Sequence, residues 1–245
     1  MKKVFLTVCF FALPLILLSG CAAVPLPLIP TLTPEPTAMP QVNDPPIPIL
    51  VPRFYNSDGI LIHVGNYSEQ LATNDHQELT TLAQEMAQQK DELTPEQMFV
   101  LAIRLYDLHE KDQSVYWFYE AQFRAKLFLK SIDITHHGTI GDLSSGLLGS
   151  YEAFTKLAGE YINGYAGCDV DNWVKIAKTV QGDNPTPPEL DKLFPEAVFV
   201  DRSQWQGIND DVAAGLGVLI DRLSESKEAI RKDRAANNLD AQYCK

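Results

Sequence analysis

The chain has 245 residues, of which 45% are hydrophobic and 21% charged, and its formal net charge is −12. That composition carries one sizeable core and excludes a mostly disordered chain or a polytopic membrane protein. The acidic balance also excludes a general nucleic-acid binder, which needs a basic face to displace phosphate counterions.

The first residues read as an address. Met1-Lys2-Lys3 is a short positive start, and Val4 to Leu18 is an uncharged apolar run. A run of about fifteen residues has the length of a signal h-region and is short for a membrane span. It ends in Leu18-Ser19-Gly20-Cys21. Small residues and a Cys at this distance from a positive start resemble a bacterial lipobox. The resemblance implies cleavage of residues 1–20 after Gly20 and acylation of Cys21. Ala22, where an Asp would mark inner-membrane retention, implies the outer-membrane class. Several acyl chains on one residue make an effectively permanent anchor, at about 0.8 kcal/mol per buried methylene.

Residues 21–52 carry the lipidated Cys and a tether. Ten of the sixteen prolines fall between Pro25 and Pro52, and the segment from Ala22 to Pro52 has no aromatic residue, no Gly and only Glu35 and Asp44 as charges. Each Pro fixes its own φ and drives the preceding residue toward extended conformations. At about 3.1 Å per residue such a segment reaches roughly 90 Å. It reads as a spacer between a lipid surface and a domain over residues 53–245. Lys2, Lys3, Glu35 and Asp44 cancel, so the whole charge of −12 belongs to that domain.

The domain reads as mainly α, with a minor N-terminal strand or hairpin. Asp58-Gly59 is a turn signal and Ile60-Leu61-Ile62-His63-Val64 a short strand, with Phe54-Tyr55 as its partner in a hairpin. Ala197 to Val200 reads as the other strand. Asn74 or Asp75 caps a helix to about Lys90. Thr94-Pro95-Glu96-Gln97 combines a cap, a first-turn Pro and a capping box, and Met98, Leu101, Ala102, Leu105 and Leu108 recur behind it at helical spacing. After a break at Glu110-Lys111-Asp112 a second helix runs from about Gln113 to Ser131. Further helices are expected from Asp142 to near Tyr165, from Asp171 to Val180, for one turn at Leu190 to Phe194, and as one long helix from Ser203 to about Asn237.

The pair of helices over 94–129 carries Asp112-x2-Val115-x2-Phe118-Tyr119-x-Ala121. A branched residue, an aromatic pair and an Ala resemble the second helix of a Sel1-like or tetratricopeptide repeat. The turn lacks that family's glycines and no second copy is present, so the reading is one repeat-like hairpin inside a helical domain. With the lipobox, the stretches Val115 to Gln122 and Tyr161 to Cys168 give a layout that resembles the small lipoproteins serving as immunity partners of type VI secretion phospholipase effectors. That resemblance implies a periplasm-facing domain that covers a toxin's active site, with the membrane engaged through the lipid anchor.

Of four cysteines, Cys9 leaves with the signal segment and Cys21 carries lipid. Cys168 and Cys244 remain, an even pair for an oxidising compartment, and are expected to form a disulfide. A search for catalytic motifs is negative. His109-Glu110 has no second His four residues on, Gly141 to Gly146 lacks the spacing of a nucleophile elbow, and Asp169-Val170-Asp171-Asn172 lacks the Gly and distal Glu of a calcium loop. His136-His137 reads as a solvated loop, and no cofactor or metal is expected. The consecutive aromatics from Tyr116 to Tyr119 cannot all face one core at 100° per residue. Some of Tyr116, Trp117 and Glu120 are therefore expected to be exposed, where they could anchor a protein interface, or to cover a second layer; burial beneath the next helix is the alternative. The functional expectation is a non-enzymatic outer-membrane lipoprotein that binds a protein partner. The alternatives are a structural or assembly lipoprotein using the repeat-like hairpin, and an envelope-active enzyme drawing on His136 and His137.

Overall fold

The computed structural model describes residues 48–49, 60–61, 64–137 and 143–244. The signal segment, Gly20, Cys21, Phe54-Tyr55 and Asp142 lie outside the described residues. Contacts group Asp44–Lys245 into one compact unit, and its architecture is mainly α.

Two helices form the centre: α3, Pro95–Asp107, and α4, Lys111–Ser131. Thr94 accepts from the Gln97 N–H while the Gln97 side chain accepts from the Thr94 N–H, so the capping box starts α3 where the sequence places it. Every residue from Met98 to Tyr106 is buried. A helix that is apolar all round must be covered all round. The turn into α4 explains the missing glycines of the repeat-like hairpin. His109 takes the left-handed conformation, φ 69°. The His109 N–H donates to the Tyr106 carbonyl at 3.2 Å and the Glu110 N–H to the Leu105 carbonyl at 2.8 Å. Those two bonds make a Schellman ending with a non-Gly residue at its strained position. Glu110 then bonds the ring of His76 at 2.6 Å, which holds the turn to the preceding helix.

That preceding helix is α2, His76–Gln88, capped by Asp75. Before it comes one helical turn, α1, Ser68–Leu71. Arg104 of α3 is buried and donates to the carbonyls of Leu71 at 3.0 Å and Thr73 at 2.6 Å and to Asn74 Oδ1 at 2.8 Å. It closes the end of α1 with a cation, where the helix dipole favours one. A two-residue antiparallel pair lies upstream: β1, Pro48–Ile49, with β2, Ile60–Leu61, in register Pro48 to Leu61 and Ile49 to Ile60. Ile60–Leu61 thus pairs with Pro48–Ile49, while the expected partner Phe54–Tyr55 lies outside the described residues. Ile49 supplies a β-branched residue opposite Ile60, and Pro48 is tolerated on an edge. The second expected strand reduces to a single bridge, Ile132 with Phe199. There the Asp133 and Val200 N–H groups donate to the Val198 and Ser131 carbonyls.

After the turn α5, Ile134–His137, come α6, Leu143–Ala166, and α7, Val170–Gly182, the latter capped by Asp169. A loop and one turn, α8, Leu190–Leu193, lead to α9, Trp205–Glu225. The single long final helix is corrected. The chain bends at Ser226 into α10, Lys227–Ala236, and again at Asn238, φ 54°, into α11, Leu239–Tyr243. The bends return the tail to the end of α6. Lys227 and Arg231 pair with Asp171, and Cys244 is disulfide-bonded to Cys168, 76 positions earlier. Arg234 donates to both sulfurs at 3.2 and 3.3 Å and to Asp240 at 2.8 Å. Two glycines of α6 and its end admit this contact. A Cβ on Gly164 would stand 2.7 Å from the Tyr243 ring, and one on Gly167 2.5 Å from the Arg234 guanidinium.

Three outcomes test this account. His109→Gly relieves the left-handed strain and raises stability by about 0.5–1 kcal/mol in urea titration. Cys168→Ser costs about 2–5 kcal/mol, and wild-type protein matches it only after reduction. Gly164→Ala drives a Cβ into the Tyr243 ring and costs about 1–3 kcal/mol, measured with the disulfide intact.

Candidate functional site

Helix α4 packs against α3, α6, α7 and α9. Its first half ends in a charge cluster sealed from water. Glu120 is 0% exposed and Arg124 3%. Glu120 Oε1 accepts from Arg124 Nε at 3.0 Å, and Lys90 Nζ lies 3.6 Å from the same oxygen. Glu120 Oε2 accepts from Asn184 Nδ2 at 2.7 Å. Arg124 also reaches Asp91 at 2.5 Å. The ties then spread outward. Lys90 donates to the Asp183 carbonyl at 2.9 Å, Tyr116 to Asp183 Oδ2 at 2.9 Å, and Asn209 of α9 to the Asn184 carbonyl at 2.9 Å. One carboxylate thereby connects the turn before α3, the end of α7, and α9. Burial first, and then the neighbouring Glu120 charge, push the Tyr116 hydroxyl well above its ordinary pKa, so it remains a donor.

This corrects the expected interface. Trp117 is 3% exposed, Glu120 is buried in the cluster and Tyr116 is half-buried against Asp183. The 100° argument holds for a helix packed on one side. Here helices lie on several sides, so consecutive aromatics all find cover. Trp117 meets the Tyr116 ring edge-on at 5.6 Å and Tyr119 donates to Asn163 at 2.9 Å. The repeat-like hairpin is likewise mostly buried, and the surface it presents lies mainly along the second half of α4. His136 stands exposed in the helical turn α5, where the sequence suggests a loop, held by Asp133 at 3.0 Å and Thr135 at 3.1 Å. Bonds from the Thr135 hydroxyl and then its backbone N–H hold the Asp133 pKa below its usual range. These are local turn contacts. The side chain of His137 lies outside the described residues, as do Gly20 and Cys21.

The open part of α4 is elsewhere. Gln122, Lys126, Leu129 and Lys130 recur on one strip and are half-buried or exposed. On the α6 side the strip borders an apolar furrow of about 420 Å³, with Ala125, Leu129, Leu148 and Tyr151 in its wall and Lys126 and Lys156 on its rim. Leu148 is 44% exposed. On the α9 side it borders a smaller furrow of about 60 Å³, lined by Phe123, Val212, Leu216 and Leu219. Gln122 and Lys126 belong to both walls and form the ridge between them. Such a surface, apolar in the middle with a few polar groups at the edge, is suited to holding a ligand rather than to moving protons. The sequence carried a signal for it. Gln122, Lys126 and Lys130 recur every four residues, so three polar side chains share one face of the helix.

Removing one member of a buried pair strands the other charge, at about 3–5 kcal/mol. Glu120→Ala is therefore expected to lower stability by that amount in denaturant titration. Asp211→Ala, which removes only the exposed partner of Lys130 at 3.9 Å, changes it by about 0.5 kcal/mol or less.

No family model matches the chain. It is similar to a curated Haemophilus influenzae protein described as uncharacterized, 26% identical over 163 residues. The match covers 62% of this chain and 58% of that protein, less than two thirds of its length. No solved structure matches.

Proposed function

We propose that this chain is a lipid-anchored outer-membrane protein whose helical domain faces the periplasm and acts by binding a protein partner. In its most specific form it is an immunity protein that occludes a type VI secretion phospholipase effector. The observation that carries the binding reading is the apolar furrow between α4 and α6, which stays open although most of α4 is buried. Soluble domains leave few contiguous apolar patches exposed, and those they leave mark interaction sites. The disulfide between Cys168 and Cys244 supports an oxidising compartment. The signal segment and the small residues before Cys21 support the anchor.

Two measurements test the proposal. Metabolic labelling with palmitate is expected to mark the wild-type chain in the outer-membrane fraction and to miss Cys21→Ser. Co-expression with the type VI phospholipase effector of the same genome is expected to protect the host, with an equimolar complex and no phospholipid turnover. An unlabelled, unprocessed product in the cytosol rejects the anchor, and unabated toxicity rejects immunity.

A further inference from the structure

Four helices surround α4 and leave one lengthwise strip of it uncovered. The exposed run from Gln122 to Lys130 spans about 12 Å, two turns of helix. We propose that this vacancy receives an amphipathic α-helix of the protein partner, its apolar face seated in the two furrows and its flanks carrying carboxylates. The inference rests on the protein-binding reading above and specifies its surface and chemistry.

Three features of the strip select this occupant. The first is the division of the apolar surface. Gln122 and Lys126 form a ridge between the α6 furrow and the α9 furrow. Side chains spaced three and four apart on an incoming helix straddle such a ridge, as in ridges-into-grooves packing. A continuous acyl chain would instead have to cross it. The second is charge. The cations facing the strip are Lys126, Lys130 and Lys156, and the acids are Glu152 and Asp211, of which Asp211 sits against Lys130. The strip is locally positive on a chain of net charge −12. Carboxylates on a docking helix are therefore attracted here while the net charge of the chain opposes their approach elsewhere, which favours this place. A second copy of this chain would bring the same three lysines to the contact. The third is room. A Cβ built on Gly215, in the wall of the α9 furrow, meets nothing within 4 Å.

The test uses two fluorescent 18-residue amphipathic helical peptides with the same leucine face, one flanked by Glu and the other by Lys. Each is titrated against the full-length chain in non-ionic detergent, with protein-free micelles as the blank. The Glu peptide is expected to saturate at one per chain and to bind at least tenfold tighter than the Lys peptide. Lys126→Glu with Lys156→Glu, both exposed, reverses that preference. Gly215→Phe fills the α9 furrow and weakens the Glu peptide at least tenfold with the melting temperature unchanged or raised. Equal binding of the two peptides, absence of binding, or indifference to these substitutions overturns the proposal. So does a concentration-dependent dimer that Gly215→Phe dissolves, which would assign the strip to a second copy. The outcomes separate from those of the effector test. Peptide binding without immunity rejects the effector and keeps the site, whereas immunity that survives Gly215→Phe and Lys126→Glu rejects the site and keeps the effector.

Discussion

The arrangement depends on one buried carboxylate. Glu120 sits at the middle of the central helix with no access to water, and an isolated charge there would cost far more than folding can supply. Arg124 comes from the same helix. Lys90 and Asn184 come from the turn before α3 and the end of α7. Only a fold that brings those segments together satisfies the charge, so the cluster selects one packing among the many an apolar helix would accept. A hydrophobic residue in its place would leave that choice open. The cluster's reach into Asn209 ties α9, one wall of the open strip, to the same centre.

How much of this was legible in the sequence follows from the range of each interaction. The capping box at Thr94 and the Asp75 cap are local chemistry within four residues, and both helices begin where those residues place them. The pair of cysteines was legible by elimination. The break at Ser226 was not, because nothing local to Ser226 demands it. What demands it is the tail's attachment to Asp171 and Cys168, more than 50 positions away. Gly207, Gly215 and Gly217 do not interrupt α9. Tyr116, Trp117 and Glu120 were misplaced for the same reason. Their partners Asp183 and Asn184 are some 64 to 67 residues distant, and a single-helix projection cannot see them.

Charge shows a similar limit. A net of −12 describes the chain's far field, whereas docking responds to the few charges within about a Debye length, near 8 Å at physiological salt. Lys126, Lys130 and Lys156 are invisible in the sum and decisive at the strip. Two come from one face of α4 at a spacing of four, and the third from α6 across the furrow. The periodic pair could be read from the sequence. Its meeting with Lys156 needed the packing of α4 on α6.

The strip is unusual in that closing it would have been easy. A helical Gly is destabilising by about 1 kcal/mol relative to Ala, and Gly215 lies inside α9 with open space where its Cβ would stand. Larger apolar residues there, or in place of Gln122 and Lys126, would thicken the core and cover Leu216 and Leu129. The chain instead places Lys126 and Lys156 beside apolar walls, where a lysine stem covers apolar surface and its ammonium reaches water, and leaves Leu148 44% exposed. Elsewhere α4 is covered to the point of burying a charge. A helix that buries a charge, yet stays bare along one strip beside an α9 thinned at Gly215, is the surface on which the proposed docking rests.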